Sequence, residues 1–197
     1  MKVITAILLG LLASHLAFAG SVEDYAGKIA PLIDPAKLAT VGARGANPRV
    51  QKITYWLASA KAENVSPAKV ADAALLKVGV TNSAAMKLTK DAMLRNVTIA
   101  ERLGCLDQSG LDEMRKGHAA TVRRGPYAGD ELSVDHIIPR AVVAELDNVI
   151  ANLELLPLRA NERKNSTIGQ RQRDLAAKLY AAGLLTPEGL RQVRNHR

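Results

Sequence analysis

Two short β-prone segments, at residues 132–138 and 152–157, interrupt a sequence whose pattern is otherwise helical. Before them, from residue 20 to about residue 120, apolar residues recur at helical spacing, and after them a helix is predicted to begin near Leu158. Two strands make only a small sheet, which has to bury its apolar face against helices. Because 48% of the residues are hydrophobic, the chain can bury such a core. The sequence therefore predicts an α+β fold that is mostly helical.

Capping residues predict where several helices begin and end. Ser66 and Pro67 are expected to open one helix as its N-cap and first helical residue, and Gly79 is expected to close it. A short helix is predicted at residues 22–33, and a longer one with an apolar stripe at residues 81–104. Near the C-terminus, TIGQRQRDLAAKLYAAGLL predicts an amphipathic helix, and TPEGLRQVRNHR predicts a basic tail that starts as a capped turn.

Residues 1–19 have the pattern of a signal peptide. Lys2 supplies a positive charge at the start, and residues 3–16 form an apolar segment too short to span a bilayer comfortably. The small-x-small triplet that ends at Ala19 predicts cleavage after that residue. An uncleaved anchor or a buried helix is the alternative. We expect a chain exported to the periplasm or secreted, with no stable membrane association after cleavage.

The chain is strongly basic, with 27 Lys and Arg against 19 Asp and Glu, a formal net charge of +8 and a pI near 9.8. This balance favours polyanionic partners such as DNA, RNA or an anionic membrane surface, although a basic soluble protein without such a partner has the same composition. Aromatic residues make up 3% of the chain, which argues against a platform that stacks single-stranded bases. The net charge therefore predicts attraction to polyanions and does not indicate a catalytic activity.

Cys105 is the one cysteine, so an internal disulfide and a paired-cysteine zinc site are both excluded. Its surroundings resemble a helix end, which predicts a small buried hydrophobic residue. Three histidines lie outside any chemical pattern: His15 in the signal peptide, His118 in a basic loop and His196 near the C-terminus. We assign no chemistry to these residues, and we expect a monomer.

The heptapeptide VDHIIPR, residues 134–140, places Asp135 and His136 side by side in the first β-prone segment. On an extended segment the two side chains diverge, so one can bind a metal ion while the other faces water. Alone, the heptapeptide is equally well a core strand that contains a histidine, with Ile137 and Ile138 packed inside. The residues that follow decide between these interpretations.

Further residues of a recognisable pattern follow at fixed intervals: Pro139, Asn152 with Leu153, Asn161 and Lys164. The composite of D-H-x-x-P, N-L and N-x-x-K resembles the HNH endonucleases of the His-Me finger, or ββα-metal, class. The nuclease domain that cuts the guide-paired strand in RNA-guided CRISPR nucleases has a similar pattern. The resemblance covers roughly residues 123–170 and implies a small ββα-metal finger within the mostly helical chain.

One departure from the family concerns how the finger is held. Many members have paired CxxC zinc motifs that brace the finger, whereas this chain has a single cysteine. Other packing, such as the N-terminal helices, is therefore expected to hold the hairpin. These patterns divide the chain into a signal peptide (1–19), a helical N-terminal region (20–120), an HNH nuclease finger (121–170) and a C-terminal helical extension (171–197).

The resemblance implies a role for each polar residue. His136 is the expected general base, because a neutral imidazole near pH 7 can accept a proton from water. Asp135 and Asn161 are expected to bind one divalent cation, for which oxygen ligands favour Mg²⁺. Asn165 is the substitute ligand if the register slips by one helical turn. Asn152 is expected to brace the loop backbone and orient His136; as ordinary turn or helix-start residues, Asn152 and Asn161 would have neither role.

Basic residues cluster around the motif and are expected to contact nucleic-acid phosphates: Arg140, Arg159, Arg163 and Lys164. The sequence thus predicts an exported, metal-dependent endonuclease that hydrolyses DNA, with RNA as a further substrate, and that has little sequence preference. Two alternatives stay open. One is a non-catalytic protein that binds nucleic acid or another polyanion, and the other is an exported nuclease toxin.

Overall fold

The computed structural model describes residues 20–164 and 166–196, so the predicted signal peptide and Asn165 lie outside the described residues. Helices dominate this part of the chain. The helices and strands follow in this order: α1 Val22–Ile33, α2 Pro35–Leu38, α3 Asn47–Ala62, α4 Pro67–Lys77, α5 Ser83–Arg102, α6 Gln108–Lys116, β1 Leu132–His136, β2 Leu153–Pro157, α7 Leu158–Arg163, α8 Gln170–Ala181 and α9 Pro187–Asn195. The fold is α+β and mostly helical, as the sequence predicts.

Local signals account for the ends of several helices. The Ser21 hydroxyl accepts the amide N–H of Asp24 while the Asp24 carboxylate accepts that of Ser21, a capping box that opens α1. The Ser66 hydroxyl accepts the amide N–H of Lys69, and Pro67 is the first residue of α4, which confirms the predicted start. The predicted helices at 22–33 and 81–104 correspond to α1 and α5.

The C-terminal segment departs from the prediction of a basic tail. The predicted capped turn is present, because the Thr186 hydroxyl accepts the amide N–H of Gly189. The chain then continues as α9 and buries Leu190 and Val193. Only two large apolar residues lie in this otherwise polar helix, and packing against α8 stabilises it.

The sheet consists of two antiparallel strands. β1 and β2 pair so that Leu132 faces Pro157 and His136 faces Leu153, close to the β-prone segments of the sequence. α7 begins at Leu158, directly after β2. The order is therefore strand, connecting loop, strand and short helix, and the connecting loop consists of residues 137–152.

Two hydrophobic clusters contain residues of this unit. The larger contains residues of α1 and α3–α6 together with the buried strand residues Leu132, Val134, Leu153 and Leu155. The smaller joins the connecting loop to the last two helices, and its members include Ile138, Val143, Leu146, Leu179 and Val193. The connecting loop is thus packed against the C-terminal helices rather than suspended in solvent.

Polar side chains of the N-terminal helices hold the strand backbone directly. From α5, the buried Asn96 accepts the Leu155 amide N–H at 3.0 Å and donates to the Leu153 carbonyl at 3.3 Å. From α3, the amide of Gln51 donates to the Leu132 carbonyl at 2.7 Å. A two-stranded sheet has no further strands to satisfy its edges, so these side chains supply the missing hydrogen bonds. This is the bracing by N-terminal helices that the lack of paired cysteines predicts.

Two single side chains of the helical region have distinct surroundings. Cys105 is fully buried, which confirms the prediction, and burial raises the pKa of its thiol to about 11. Trp56 is half-buried rather than enclosed; its ring packs against Tyr25 and Tyr55, and the Lys28 ammonium lies 4.5 Å from it. Among the described residues, no helix combines the length and the apolar character needed to cross a bilayer.

Candidate active site

A cleft of about 360 Å³ lies beside the end of β1. Its walls come from β1, the connecting loop, α7 and one residue of the loop before α3. The charged, imidazole and amide side chains that line it are Arg44, Asp135, His136, Arg140, Asn161 and Lys164. The cleft therefore brings together Asp135, His136 and Asn161, the three residues that the sequence predicts to act on water and a metal ion.

His136 is the last residue of β1, and its side chain is almost fully buried. The ring nitrogen Nε2 lies 2.9 Å from Oδ1 of Asp147 and 3.0 Å from the main-chain oxygen of the same residue. Both atoms are acceptors, so Nε2 carries the proton in a neutral ring. No hydrogen bond joins Nδ1 to any described residue, so this nitrogen is the one that can accept a proton from a bound molecule.

Asn152 is completely buried at the end of the connecting loop. Its side-chain oxygen accepts the Ile138 amide N–H at 2.8 Å, and its amide group donates to the Ile138 carbonyl at 3.0 Å and to the Leu146 carbonyl at 3.4 Å. Both main-chain groups of Ile138 are thereby satisfied by one side chain. Since Ile138 follows His136 by two residues, Asn152 fixes the chain direction directly after the histidine.

Asp135 precedes His136 on β1 and is also buried. Its carboxylate contacts the ammonium group of Lys164, which in addition donates to the main-chain oxygen of His136 at 2.8 Å. Lys164 lies directly after the last residue of α7. This ion pair fastens the end of α7 to the end of β1, so Lys164 is at once a cleft residue and the counter-ion of Asp135.

Asn161 lies in α7 and faces the same cleft. Its amide group donates to the Ser133 hydroxyl at 3.1 Å, an orientation that makes the side-chain oxygen the atom able to bind a cation. The described residues hold no group of three or more His, Cys, Asp or Glu side chains with metal-binding geometry. The oxygens of Asp135 and Asn161 suit a hard cation whose other ligands are water and phosphate, and they do not suit a cation that needs a complete protein shell.

The four basic residues predicted to contact phosphate do not form one group. Arg140 and Lys164 line the cleft, whereas Arg159 pairs with Asp130 at 2.5 Å and Arg163 lies exposed on α7. Arg44 also lines the cleft, although the sequence suggests no role for it. It comes from residues 40–46, a glycine-rich loop before α3 that precedes the motif by about ninety residues.

A second charged cluster lies around Glu154, which pairs with Asp135 across the two strands and shares its face of the sheet. This buried carboxylate forms two hydrogen bonds with Arg171, at 3.0 Å and 2.5 Å, and lies 4.0 Å from the guanidinium of Arg95. Hydrogen bonding to Glu154 raises the pKa of Arg171, while burial lowers that of Arg95. The cluster ties β2 to α5 and α8 and supports the strand that faces Asp135.

Asp147, like Arg44, belongs to the site although the sequence pattern does not signal it. The acidic residues that flank the motif most visibly lie elsewhere: Asp130 pairs with Arg159, and Glu145 accepts the Thr186 hydroxyl at 2.7 Å. Asp147 resembles a turn residue in the sequence, and its only signal is a position within the connecting loop that follows His136. Its neighbour Asn148 bonds the Ala46 amide N–H at 3.0 Å, a contact that no local pattern predicts.

The comparisons with known proteins add no relative: no family model matches the chain, no curated protein is significantly similar to it, and no solved structure matches its fold. The residues and their contacts therefore carry the whole functional interpretation.

Proposed function

We propose that this protein is an HNH-type, metal-dependent endonuclease that hydrolyses phosphodiester bonds of DNA, with RNA as a further substrate. One observation carries the proposal. Asp135, His136 and Asn161 line the same cleft of a strand–loop–strand–helix unit, and Asn152 braces the loop directly behind the histidine. A core strand that merely contains a histidine gives no reason for these four residues to converge.

His136 is the proposed general base. Because its Nε2 is occupied by Asp147, the lone pair of Nδ1 is the one able to take a proton from a water molecule beside the scissile phosphorus. The burial of the ring and its two contacts hold this nitrogen in one direction. An oriented base of this kind contributes roughly 10² to 10⁴ in rate.

Asp135 and Asn161 are the proposed ligands of one divalent cation, with Mg²⁺ the natural candidate for two oxygen ligands and several waters. When bound, such an ion stabilises negative charge on the phosphate and on the leaving oxygen. The chain's own contribution is to hold an anionic and a neutral oxygen on one side of the cleft, next to the base. Lys164 neutralises Asp135 before a cation binds.

The backbone of the nucleic acid is held by charge rather than by base recognition. Arg44, Arg140 and Lys164 line the cleft, Arg163 lies exposed nearby, and the whole chain has a formal net charge of +8. Such contacts attract phosphates of any sequence and weaken steeply as salt concentration rises. We therefore expect little sequence preference. The predicted signal peptide favours a periplasmic or secreted protein.

Cleavage of supercoiled plasmid by the purified protein tests the proposal. The assay compares Mg²⁺, Mn²⁺ and EDTA, and includes linear single-stranded DNA and RNA as further substrates. We expect nicked and then linear plasmid with a divalent ion, and none with EDTA. An intact plasmid with every divalent ion tried would refute the enzyme and favour a protein that only binds polyanions, which a gel-shift at low salt would reveal.

A matched histidine pair separates the proposed base from contaminating nuclease. His136→Ala is expected to lose at least 100-fold in cleavage rate, whereas His118→Ala is expected to retain the wild-type rate. His118 is exposed and hydrogen-bonds only Glu113 among the described residues, so its loss leaves the cleft unchanged. Equal rates for His136→Ala and wild type would overturn the residue assignment even if cleavage itself is confirmed.

A further inference from the structure

Asp147 connects His136 to a segment of the chain far from the motif. Its Oδ1 accepts the His136 Nε2–H at 2.9 Å, and its Oδ2 accepts the main-chain N–H of Arg44 at 3.0 Å. The Asp147 side chain is 12% exposed, so the contacts lie largely out of water. The carboxylate thus bridges the ring of His136 and the backbone of the glycine-rich loop, residues 40–46.

Both hydrogen-bond partners of the carboxylate are donors, and the Arg140 guanidinium lies 3.9 Å from its Oδ2, so the position requires a negatively charged group that accepts through two oxygens. A carboxylate can accept from two donors through its two oxygens, whereas an amide of the same shape presents one oxygen and one NH₂ group. Asn at this position would leave an NH₂ facing either the Arg44 N–H or the His136 Nε2–H. Only Asp at this position can accept from both donors. The contact also requires that Nε2 is the protonated nitrogen of the His136 ring.

The glycine-rich loop is itself held in place. Arg44 has a φ of 58°, a left-handed conformation that directs its N–H toward the connecting loop. Next to it, the side chain of Asn148 accepts the Ala46 N–H at 3.0 Å and donates to the Gly42 carbonyl at 3.2 Å. Two consecutive residues of the connecting loop, Asp147 and Asn148, therefore bind the same loop of the helical region.

We propose that Asp147 is a positioning residue that selects the Nε2–H tautomer of His136, and that the glycine-rich loop of the helical region holds Asp147 for this task. The consequence for catalysis rests on the proposed function, whereas the tautomer itself does not. The main-chain carbonyl of Asp147 accepts the same Nε2–H, so the carboxylate is a second acceptor that further fixes the direction of the His136 ring. The N-terminal helical region thereby gains a direct role in the site besides bracing the strands.

Nitrogen-15 NMR of the histidine rings of the purified protein, without metal or nucleic acid, tests the tautomer directly. The signal of His136 is identified by its loss in His136→Gln. We expect one tautomer in the wild type, with Nε2 protonated and Nδ1 unprotonated, and a mixture of tautomers in Asp147→Asn. A wild-type ring protonated at Nδ1 would overturn the proposal, and so would an Asp147→Asn variant whose ring is indistinguishable from the wild type.

Kinetics on plasmid DNA provide a second measurement, and a glycine substitution provides its control. Asp147→Ala is expected to lower kcat about 10- to 100-fold with little change in KM, as is usual when a partner that orients an active-site ligand is removed. Arg44→Gly keeps the main-chain N–H and tolerates the positive φ, so it should preserve the tautomer and raise KM by removing a cleft cation. If NMR shows the expected tautomers but neither the wild type nor any variant cuts DNA, Asp147 does position the His136 ring and the nuclease proposal is wrong.

Discussion

The ammonium group of Lys164 contacts the carboxylate of Asp135 inside the cleft, and the same ammonium donates to the main-chain oxygen of His136. A lysine in this position supplies the positive charge that a proposed cation would otherwise supply. A metal ion at the proposed site would compete with Lys164 for this carboxylate, because a second positive charge close to the first is repelled. Metal binding must therefore displace or share the contact of Lys164.

The first prediction follows from this competition. Lys164→Met should bind Mn²⁺ more tightly than the wild type, by about 5- to 10-fold, which corresponds to about 1 kcal/mol for one partly buried charge contact. Isothermal titration calorimetry with Mn²⁺ measures this without reference to cleavage. Lys69→Met, an exposed position on α4, is the control and should leave the affinity unchanged. Equal affinities for all three proteins would contradict the competition.

The two asparagines of the motif should differ in how much they contribute to stability. Asn152→Ala leaves the N–H and carbonyl of Ile138 buried without partners, so we expect it to lower the free energy of unfolding by about 3 kcal/mol. Asn161→Ala loses one side-chain contact at a half-buried site, with an expected cost of about 1 kcal/mol or less. Urea unfolding measures both changes. Equal losses would show that Asn152 does not brace the loop.

The sequence predicts the parts of this fold that local signals govern. Ser66 and Pro67 mark the start of α4 because an N-cap hydroxyl and a proline act within one turn. The strands and the position of Asn161 in the first turns of α7 also follow from nearby residues. In contrast, α9 carries few apolar residues, and its stability comes from contacts with α8 that its own pattern does not contain.

The contacts of Asp147 show why part of the site is invisible in the sequence. The partner of its Oδ2, the Arg44 N–H, is a main-chain group 103 residues away, and any amino acid except proline offers such a group. No residue type and no spacing can therefore signal it. Arg44 likewise reaches the cleft only because the loop before α3 packs on the connecting loop. Single-sequence reasoning finds the motif, and the fold determines which distant groups complete it.

The bracing of the hairpin by α5 gives the next prediction. Asn96→Ala removes the acceptor of the buried Leu155 N–H and one donor to the Leu153 carbonyl, so we expect it to lower the free energy of unfolding by about 2 kcal/mol. Amide hydrogen exchange of Leu155 should accelerate more than that of α4. Thr98→Ala on the same helix is the control, because within the described part of the chain its hydroxyl bonds only the Leu94 carbonyl of its own helix. A similar effect of both substitutions would mean that the hairpin does not depend on Asn96.

Cys105 predicts a loss of stability in alkaline solution. Burial raises the pKa of its thiol from an ordinary value of 9 to about 11, and the nearby Asp107 carboxylate adds to the effect. The unfolded chain therefore releases the proton at lower pH than the folded chain does. This contribution to stability is fully present below pH 9 and is lost as the pH rises toward 11.

Urea unfolding at pH 8 and pH 10 measures this loss in the wild type and in Cys105→Ala. We expect the wild type to lose more stability between the two pH values than the variant, since only the wild type has the thiol. Iodoacetamide at pH 8 should modify Cys105 slowly in the folded protein and rapidly in urea, because the side chain is fully buried. Rapid modification of the folded protein would contradict the burial.

The last prediction concerns the end that cleavage after Ala19 would create. The main-chain nitrogen of Gly20 donates to Oε2 of Glu63 at 2.7 Å, and a Cβ atom on Gly20 would lie 2.7 Å from the Tyr25 ring. In a chain that begins at Gly20, this nitrogen is an ammonium group and the contact becomes an ion pair. Exposed ion pairs contribute about 0.2 to 1 kcal/mol, so chemical acetylation of that amine should lower stability by a similar amount.

A double-mutant cycle isolates the ion pair from other effects of acetylation. The four proteins are the chain from Gly20 with a free or an acetylated amine, each with Glu63 or with Glu63→Gln. Acetylation should lower the free energy of unfolding only in the proteins that have Glu63, because the amide of Gln has no charge to pair with the ammonium. An equal cost in both backgrounds would show that the new N-terminus gains nothing from Glu63. A cost confined to Glu63 would mean that removal of residues 1–19 strengthens the contact between α1 and the end of α3.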